Sequence, residues 1–226
     1  THAMTITAAS KVGQLAAEHP LATRVFARRN IDFCCAGGLD LATACDNKGV
    51  DVAQFIAELE QEIASQPEAD LRWDDKPLDA LIDHILVTYH EPLKEELPRL
   101  ETMMRKVHSV HGSKDQPRFD ELLRTVLSIK ADIDDHLPKE EQILFPAIKA
   151  GQGPMAGAPM QVMEMEHETL GGMLRKVREL TGDYAVPEGA CNTWRALWVG
   201  LEDLERSLHE HIHLENNILH PRARAG

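Results

Sequence analysis

His136-Leu137-Pro138-Lys139-Glu140-Glu141-Gln142-Ile143-Leu144-Phe145-Pro146 returns in altered form as His211-Ile212-His213-Leu214-Glu215-Asn216-Asn217-Ile218-Leu219-His220-Pro221. Both stretches read H-x-x-x-E, two polar residues, Ile-Leu, one further residue and Pro. On an α-helix, positions i and i+4 share a face one turn apart. His136 with Glu140, and His211 with Glu215, therefore each offer an imidazole and a carboxylate to one point. Two helices facing each other in this way would enclose a metal site of mixed nitrogen and oxygen ligands. Carboxylates can bridge two ions, so a dinuclear site is the natural reading. A donor set without thiolate favours iron or manganese over structural zinc or copper(I). A single H-x-x-x-E on an exposed helix is only a polar pair; the repetition, with its trailing Ile-Leu-x-Pro, carries the inference. The Glu-x-x-His order of ferritin-like carboxylate proteins is not what repeats.

Composition agrees with helices. The 226 residues allow one large domain or two modest ones. Aromatic residues make up only 4%, so Leu, Ala, Ile, Val and Met must fill the core, which suits helix packing more than a sheet sandwich. A formal net charge of −13 argues against nucleic-acid backbones and anionic membranes as partners. No apolar run is long enough to span a bilayer, and the start shows no signal-peptide pattern. Thr1-His2-Ala3 before Met4 reads as a cloning remnant and is set aside. Cys34, Cys35, Cys45 and Cys191 are too few and too irregular for a disulfide framework, and there is no C-x-x-C for a zinc ribbon. The cytoplasm is the expected compartment.

The expected fold is all-α, in three parts. Residues 4–65 form a small helical domain with short helices around Val12–Ala16, Leu21–Arg29 and Leu39–Cys45. A fourth is capped by Asp51 and carries Val52, Phe55, Ile56, Leu59 and Ile63. Residues 66–77, with two prolines and several charges, read as a linker. Residues 78–222 hold four long amphipathic helices: 78–107, with kinks expected at Pro92 and Pro98; 119–150; 160–180; and 188–220. Short loops between them predict an up-down-up-down bundle.

Two His and two Glu do not saturate two ions, so the first and third helices should supply more. His167 is the candidate on the third, amid Val162, Met163 and Leu170. On the first, His84 and His90 compete. His90 lies on a core stripe through Ile82, Leu86, Tyr89 and Leu93, and is preferred. Heights agree: His90 is roughly 18 Å up the first helix and His136 roughly 25 Å down the second. His111 would stand roughly 30 Å from His90 and is left out. His108, His209, His213 and His220 read as surface or supporting residues. Asp132 and Glu166 are candidates to orient a ligand imidazole.

These motifs resemble the repair-of-iron-centres proteins, a hemerythrin-like family of the bacterial cytoplasm with an N-terminal Cys-Cys domain. The resemblance rests on Asp32-Phe33-Cys34-Cys35-Ala36-Gly37-Gly38, Tyr89-His90, Glu140 to Pro146 and Leu214-Glu215-Asn216-Asn217, and covers nearly the whole chain. It implies two non-haem iron ions held by His90, His136, Glu140, His167, His211 and Glu215, bridged by Glu140 and Glu215, with an oxo bridge also compatible. It implies repair of iron–sulfur clusters damaged by nitric oxide or oxidative stress, through iron donation, nitric oxide reduction, or both. Clients would be damaged iron–sulfur proteins; nitric oxide or dioxygen would be the small ligand, with an electron donor, and the protein a monomer or homodimer. His220 departs from the pattern, standing where an apolar aromatic is usual. Cys34 and Cys35 are read as a reactive pair whose thiol pKa a glycine-rich turn can lower; Cys45 and Cys191 read as packing residues. A carrier or sensor of dioxygen or nitric oxide without turnover is the alternative, and a metal store a third.

Overall fold

A computed structural model describes residues 5–226; Thr1-His2-Ala3 and Met4 lie outside the described residues. The helices are α1 (Val12–Glu18), α2 (Ala22–Arg28), α3 (Leu41–Asp46), α4 (Val52–Ile63), α5 (Leu78–Ile85), α6 (Glu91–His111), α7 (Gln116–Lys139), α8 (Phe145–Lys149), α9 (Gly157–Leu180), α10 (Asn192–His213) and α11 (His220–Ala225). The described residues contain no strand, only an isolated bridge between Lys11 and Asp40. The all-α expectation holds.

Three π turns, Leu86–His90, Glu140–Leu144 and Leu214–Leu219, join α5 to α6, α7 to α8 and α10 to α11 without a break. Each closes with an i→i−5 bond: Glu91 N–H to the Leu86 carbonyl, Phe145 to Glu140, and His220 to Glu215. Each closing residue is followed by proline: Pro92, Pro146 and Pro221. Proline has no N–H, and its ring crowds the carbonyl four residues back; a wider turn just ahead accommodates it. The expected proline kink at Pro92 is thus a π turn ahead of it, while Pro98 sits within the regular α6. The added residue also rotates the apolar stripe. Leu86 and Tyr89, expected in the core, are only half-buried, and His90 is fully buried.

The chain forms two compact bodies. One gathers residues 5–81 together with His209–Gly226; the other is Ile82–Leu208. In the first, Asp40 accepts the Thr43 N–H at 2.8 Å and Asp51 the Gln54 N–H at 2.9 Å, capping α3 and α4. Phe26 lies between Phe33 and Phe55, centroids 6.2 and 5.8 Å away. Val12, Leu15, Val25, Leu41 and Leu59 complete that core. Residues 66–77 are irregular, as a linker would be, yet they are held. Glu68 accepts the Leu21 N–H at 2.8 Å, and Arg222 of α11 donates to the Trp73 and Lys76 carbonyls at 3.1 and 2.6 Å.

In the second body α6, α7, α9 and α10 close a bundle. α7 packs against α6 and α9. α10 meets α6 at Gly200, where an added Cβ would stand 2.6 Å from Leu100 Cδ2, and meets α9 through Arg178 and Glu205, 3.0 Å apart. Buried Leu93, Leu97, Leu100, Met104 and Val107 recur every three or four residues along α6, as a core-facing stripe must. Trp194 and Trp198 close one end, with Phe119 edge-on to Trp194 at 5.5 Å and His111 over it at 4.7 Å. Glu205, buried, also accepts the Tyr184 hydroxyl, and burial with that carboxylate pushes the Tyr184 pKa up. Glu205→Ala leaves Arg178 and the phenol without their shared acceptor. It should cost about 3 kcal/mol in a denaturant melt, with Glu205→Gln recovering part of the loss.

Candidate metal centre

In the bundle body three imidazoles converge on Glu140, which is fully buried. Its Oε1 lies 3.0 Å from His136 Nε2 and 3.6 Å from His167 Nε2; its Oε2 lies 3.3 Å from His90 Nε2. The Nε2 atoms of His136 and His167 are 3.1 Å apart. His90 is the last residue of the first π turn and Glu140 the first of the second, while His136 sits one turn before Glu140 on α7 and His167 midway along α9. Phe145 covers the His90 ring at 5.6 Å.

A second layer fixes two imidazoles. His90 Nδ1 meets Glu141 at 2.9 Å, and Lys94 holds that carboxylate at 2.9 Å. His136 Nδ1 meets Glu166 at 2.8 Å, and Lys139 holds that carboxylate at 2.5 Å. Burial alone would raise both glutamates; the lysine and imidazole beside each outweigh it, and their pKa values are lowered. An ionised carboxylate on Nδ1 keeps the proton there and leaves Nε2 as the acceptor. His136 Nε2 and Glu140 Oε1 are then two acceptors at 3.0 Å, with the His167 ring nitrogen beside them. Contact of that kind is favourable when a proton or a cation lies between, so the donor set fits a metal ion. His136, Glu140 and His167 each offer a ligand atom, all within 4.8 Å of one another.

A groove of about 540 Å³ between α7 and α9 reaches His136 and His167, lined also by Asp132, Asp135, Glu166 and Glu168. Asp132 is exposed on this lining; the carboxylate bonded to His136 is Glu166. Sequence reasoning missed Glu141, Lys94 and Lys139. Glu141 had one visible sign, its place beside Glu140, but its partner lies 51 residues away. Val162, expected in the core beside His167, is exposed at the groove.

In the other body His211 Nε2 and Glu215 Oε1 are 2.8 Å apart, one turn apart on one face, and both buried. The same helical segment holds the Cys-Cys loop. Asn216 donates to the Cys34 carbonyl at 3.1 Å and Asn217 to the Phe33 carbonyl at 2.7 Å. His213, expected at the surface or in a supporting role, is buried edge-on to Phe33 at 5.6 Å, and burial lowers its pKa to about 4. His220 is likewise fully buried. Asp32 Oδ1 accepts the N–H groups of Cys34 and Cys35 at 3.1 and 2.8 Å. The adjacent Cys35, burial and the Asp32 carboxylate all push the Cys34 thiol up. That reverses the expectation of a lowered pKa, because the turn's N–H groups serve Asp32 rather than the sulfur. Cys191, expected to pack, is exposed, with its sulfur 3.3 Å from His111 Nε2.

Residues 81–223 match the family described as Hemerythrin HHE cation binding domain. The chain belongs to that family. This hemerythrin-family chain also matches, over residues 8–63, a family described as a domain of unknown function. It is 43% identical to Iron-sulfur cluster repair protein YtfE of Yersinia pseudotuberculosis serotype O:1b (strain IP 31758), across 95% of this chain and 96% of that one. The protein of the same name from Yersinia pestis (strain Pestoides F) is 42% identical over the same shares. Among the described residues, no helix of this hemerythrin-family chain is long and apolar enough to cross a membrane.

Proposed function

We propose that the chain is a cytoplasmic non-haem di-iron protein that repairs iron–sulfur clusters damaged by nitric oxide or oxidative stress, giving up iron to its clients. The convergence of three imidazoles on one buried carboxylate carries this reading. The repair proteins to which it is similar over almost its whole length support the physiological role. In this reading His90, His136, Glu140 and His167 would hold iron, and His211 and Glu215 of the repeated motif would be the remaining ligands. Iron bound there supplies Lewis acidity and one-electron redox chemistry. Glu141 and Glu166 orient His90 and His136 and keep their protons on Nδ1. The α7–α9 groove gives small molecules access on the side of His136 and His167, whereas Phe145 packs against His90. Nitric oxide reduction is the second reading, favoured by that access, and it requires an electron donor.

The test is iron transfer. Iron-loaded protein is mixed anaerobically with an apo iron–sulfur protein, sulfide and thiol reductant, and cluster absorption is followed. Regeneration should outpace that from the same concentration of free ferrous iron held by a weak chelator. The Cys34→Ala/Cys35→Ala double variant should transfer several-fold more slowly with its iron content unchanged. Regeneration no faster than with free iron rejects donation. Nitric oxide consumption by the reduced protein then decides whether the centre turns over.

A further inference from the structure

The Cys-Cys loop carries donors that the bundle site does not use. Asp32, Cys34 and Cys35 each present a ligand atom, all within 4.8 Å of one another. The two sulfurs stand 3.8 Å apart, and Cys34 Sγ lies 3.3 Å from Asp32 Oδ1. In a tetrahedral site with metal–sulfur bonds of about 2.3 Å and metal–oxygen bonds of about 2.0 Å, two sulfurs lie about 3.8 Å apart and sulfur and oxygen about 3.5 Å. The triangle in the protein is close to one face of such a tetrahedron. It is far from a disulfide, whose sulfurs are about 2.05 Å apart and which strains the peptide between adjacent cysteines.

The face is held in advance. Behind it, Asn216 and Asn217 grip the Cys34 and Phe33 carbonyls. On the other side, Gly13 N–H donates to the Gly37 carbonyl at 2.8 Å and Val12 N–H to Leu39 at 2.9 Å. Residues 33–39 are thus tied to α1 and to the last π turn, so little ordering is left for a cation to impose. Asp32 already accepts backbone N–H groups, but a carboxylate has about four lone-pair sites and can serve the turn and a cation together. Cys34 is buried and Cys35 half-exposed, so the face is reached from the Cys35 side.

We propose that Asp32, Cys34 and Cys35 form a second, mononuclear site for one borderline-soft divalent cation, separate from the bundle centre. Binding forms two metal–thiolate bonds and one metal–carboxylate bond, and the two thiol protons leave to solvent. The fourth position is filled by water or by a ligand from a partner, which suits a place where a cation is handed over rather than kept. That ferrous iron is the natural occupant rests on the repair reading above; the site itself does not.

Cobalt(II) is the probe, with full-length protein whose bundle is already loaded with iron, under anaerobic conditions. Wild type should develop intense near-ultraviolet thiolate-to-cobalt absorption that saturates at one equivalent per chain. Cys35→Ser should abolish the band, and Asp32→Asn should weaken binding at least tenfold, both with bundle iron unchanged. Cobalt should also protect Cys35 from iodoacetamide in the wild type, a readout that needs no variant to fold. No charge-transfer band, or an undiminished band in Cys35→Ser, overturns the proposal, as does unprotected alkylation. If the bundle holds no iron, cobalt entering the His and Glu donors gives only weak ligand-field bands. Failure of the di-iron reading is therefore distinguishable from failure of this one.

Discussion

Glu140→Ala protein, purified without oxygen, should carry almost no iron, whereas the proposed centre would give the wild type about two ions per chain, because on that reading Glu140 serves both metals at once. Glu140 is fully buried and approaches His90, His136 and His167 at 3.0–3.6 Å, and water cannot replace its charge there. The apo forms should behave differently from the loaded ones. Without metal, the wild type holds a buried carboxylate against imidazoles, an arrangement whose desolvation cost can exceed its attraction. Chelator-treated Glu140→Ala should therefore melt at the same temperature as chelator-treated wild type, or higher. Adding ferrous iron should raise only the wild type, by about 4 kcal/mol at a thousandfold excess over Kd. Metal analysis beside paired melts, with and without chelator, reads both effects. A variant that keeps two irons would sink the di-iron centre as assigned.

Gly37→Ala should strongly disrupt the Cys-Cys body. A Cβ at Gly37 would stand 2.9 Å from Gly13 Cα and 2.7 Å from Asn217 Oδ1; one at Gly13 would stand 3.0 Å from Gly37 Cα. Two backbones touch here, so there is no flexible side chain to swing aside on the Gly13 side. Overpacking of this kind costs about 2–3 kcal/mol. The strain should appear as loss of the Asn216 and Asn217 grip on residues 33 and 34. Thermal melting gives the cost, and the rate of iodoacetamide labelling at Cys34 gives the loosening, since that thiol is buried in the native loop. A variant with wild-type stability and unchanged labelling would show that the close approach is not structurally required.

The two H-x-x-x-E copies made the helical fold and a His/Glu pair on one face of each of two helices legible, since i,i+4 geometry is local. His90 was chosen over His84 from a stripe that turned out to be out of phase: Leu86 and Tyr89 are half-buried because a π turn adds a residue there. His90 is buried all the same. Glu141 and its lysine were not legible, because a long-range hydrogen bond leaves no periodic trace. Neither was the raised Cys34 pKa: the sequence shows a turn with N–H groups to offer, not that Asp32 takes them. Asn216-Asn217 stood out as a motif, but its role depends on a loop 182 residues earlier.

The π turns that precede Pro92, Pro146 and Pro221 mean that the directions of the candidate donors are recorded in how many residues the chain spends, not only in which ones. Each turn displaces everything after it by about 100° relative to an unbroken α-helix. A one-residue deletion between Glu140 and Pro146 would re-aim the helix after the motif although every candidate ligand is still spelled correctly. In this fold a gap can be as damaging as the loss of a histidine, and residues that offer no donor hold the spacing on which the donors depend.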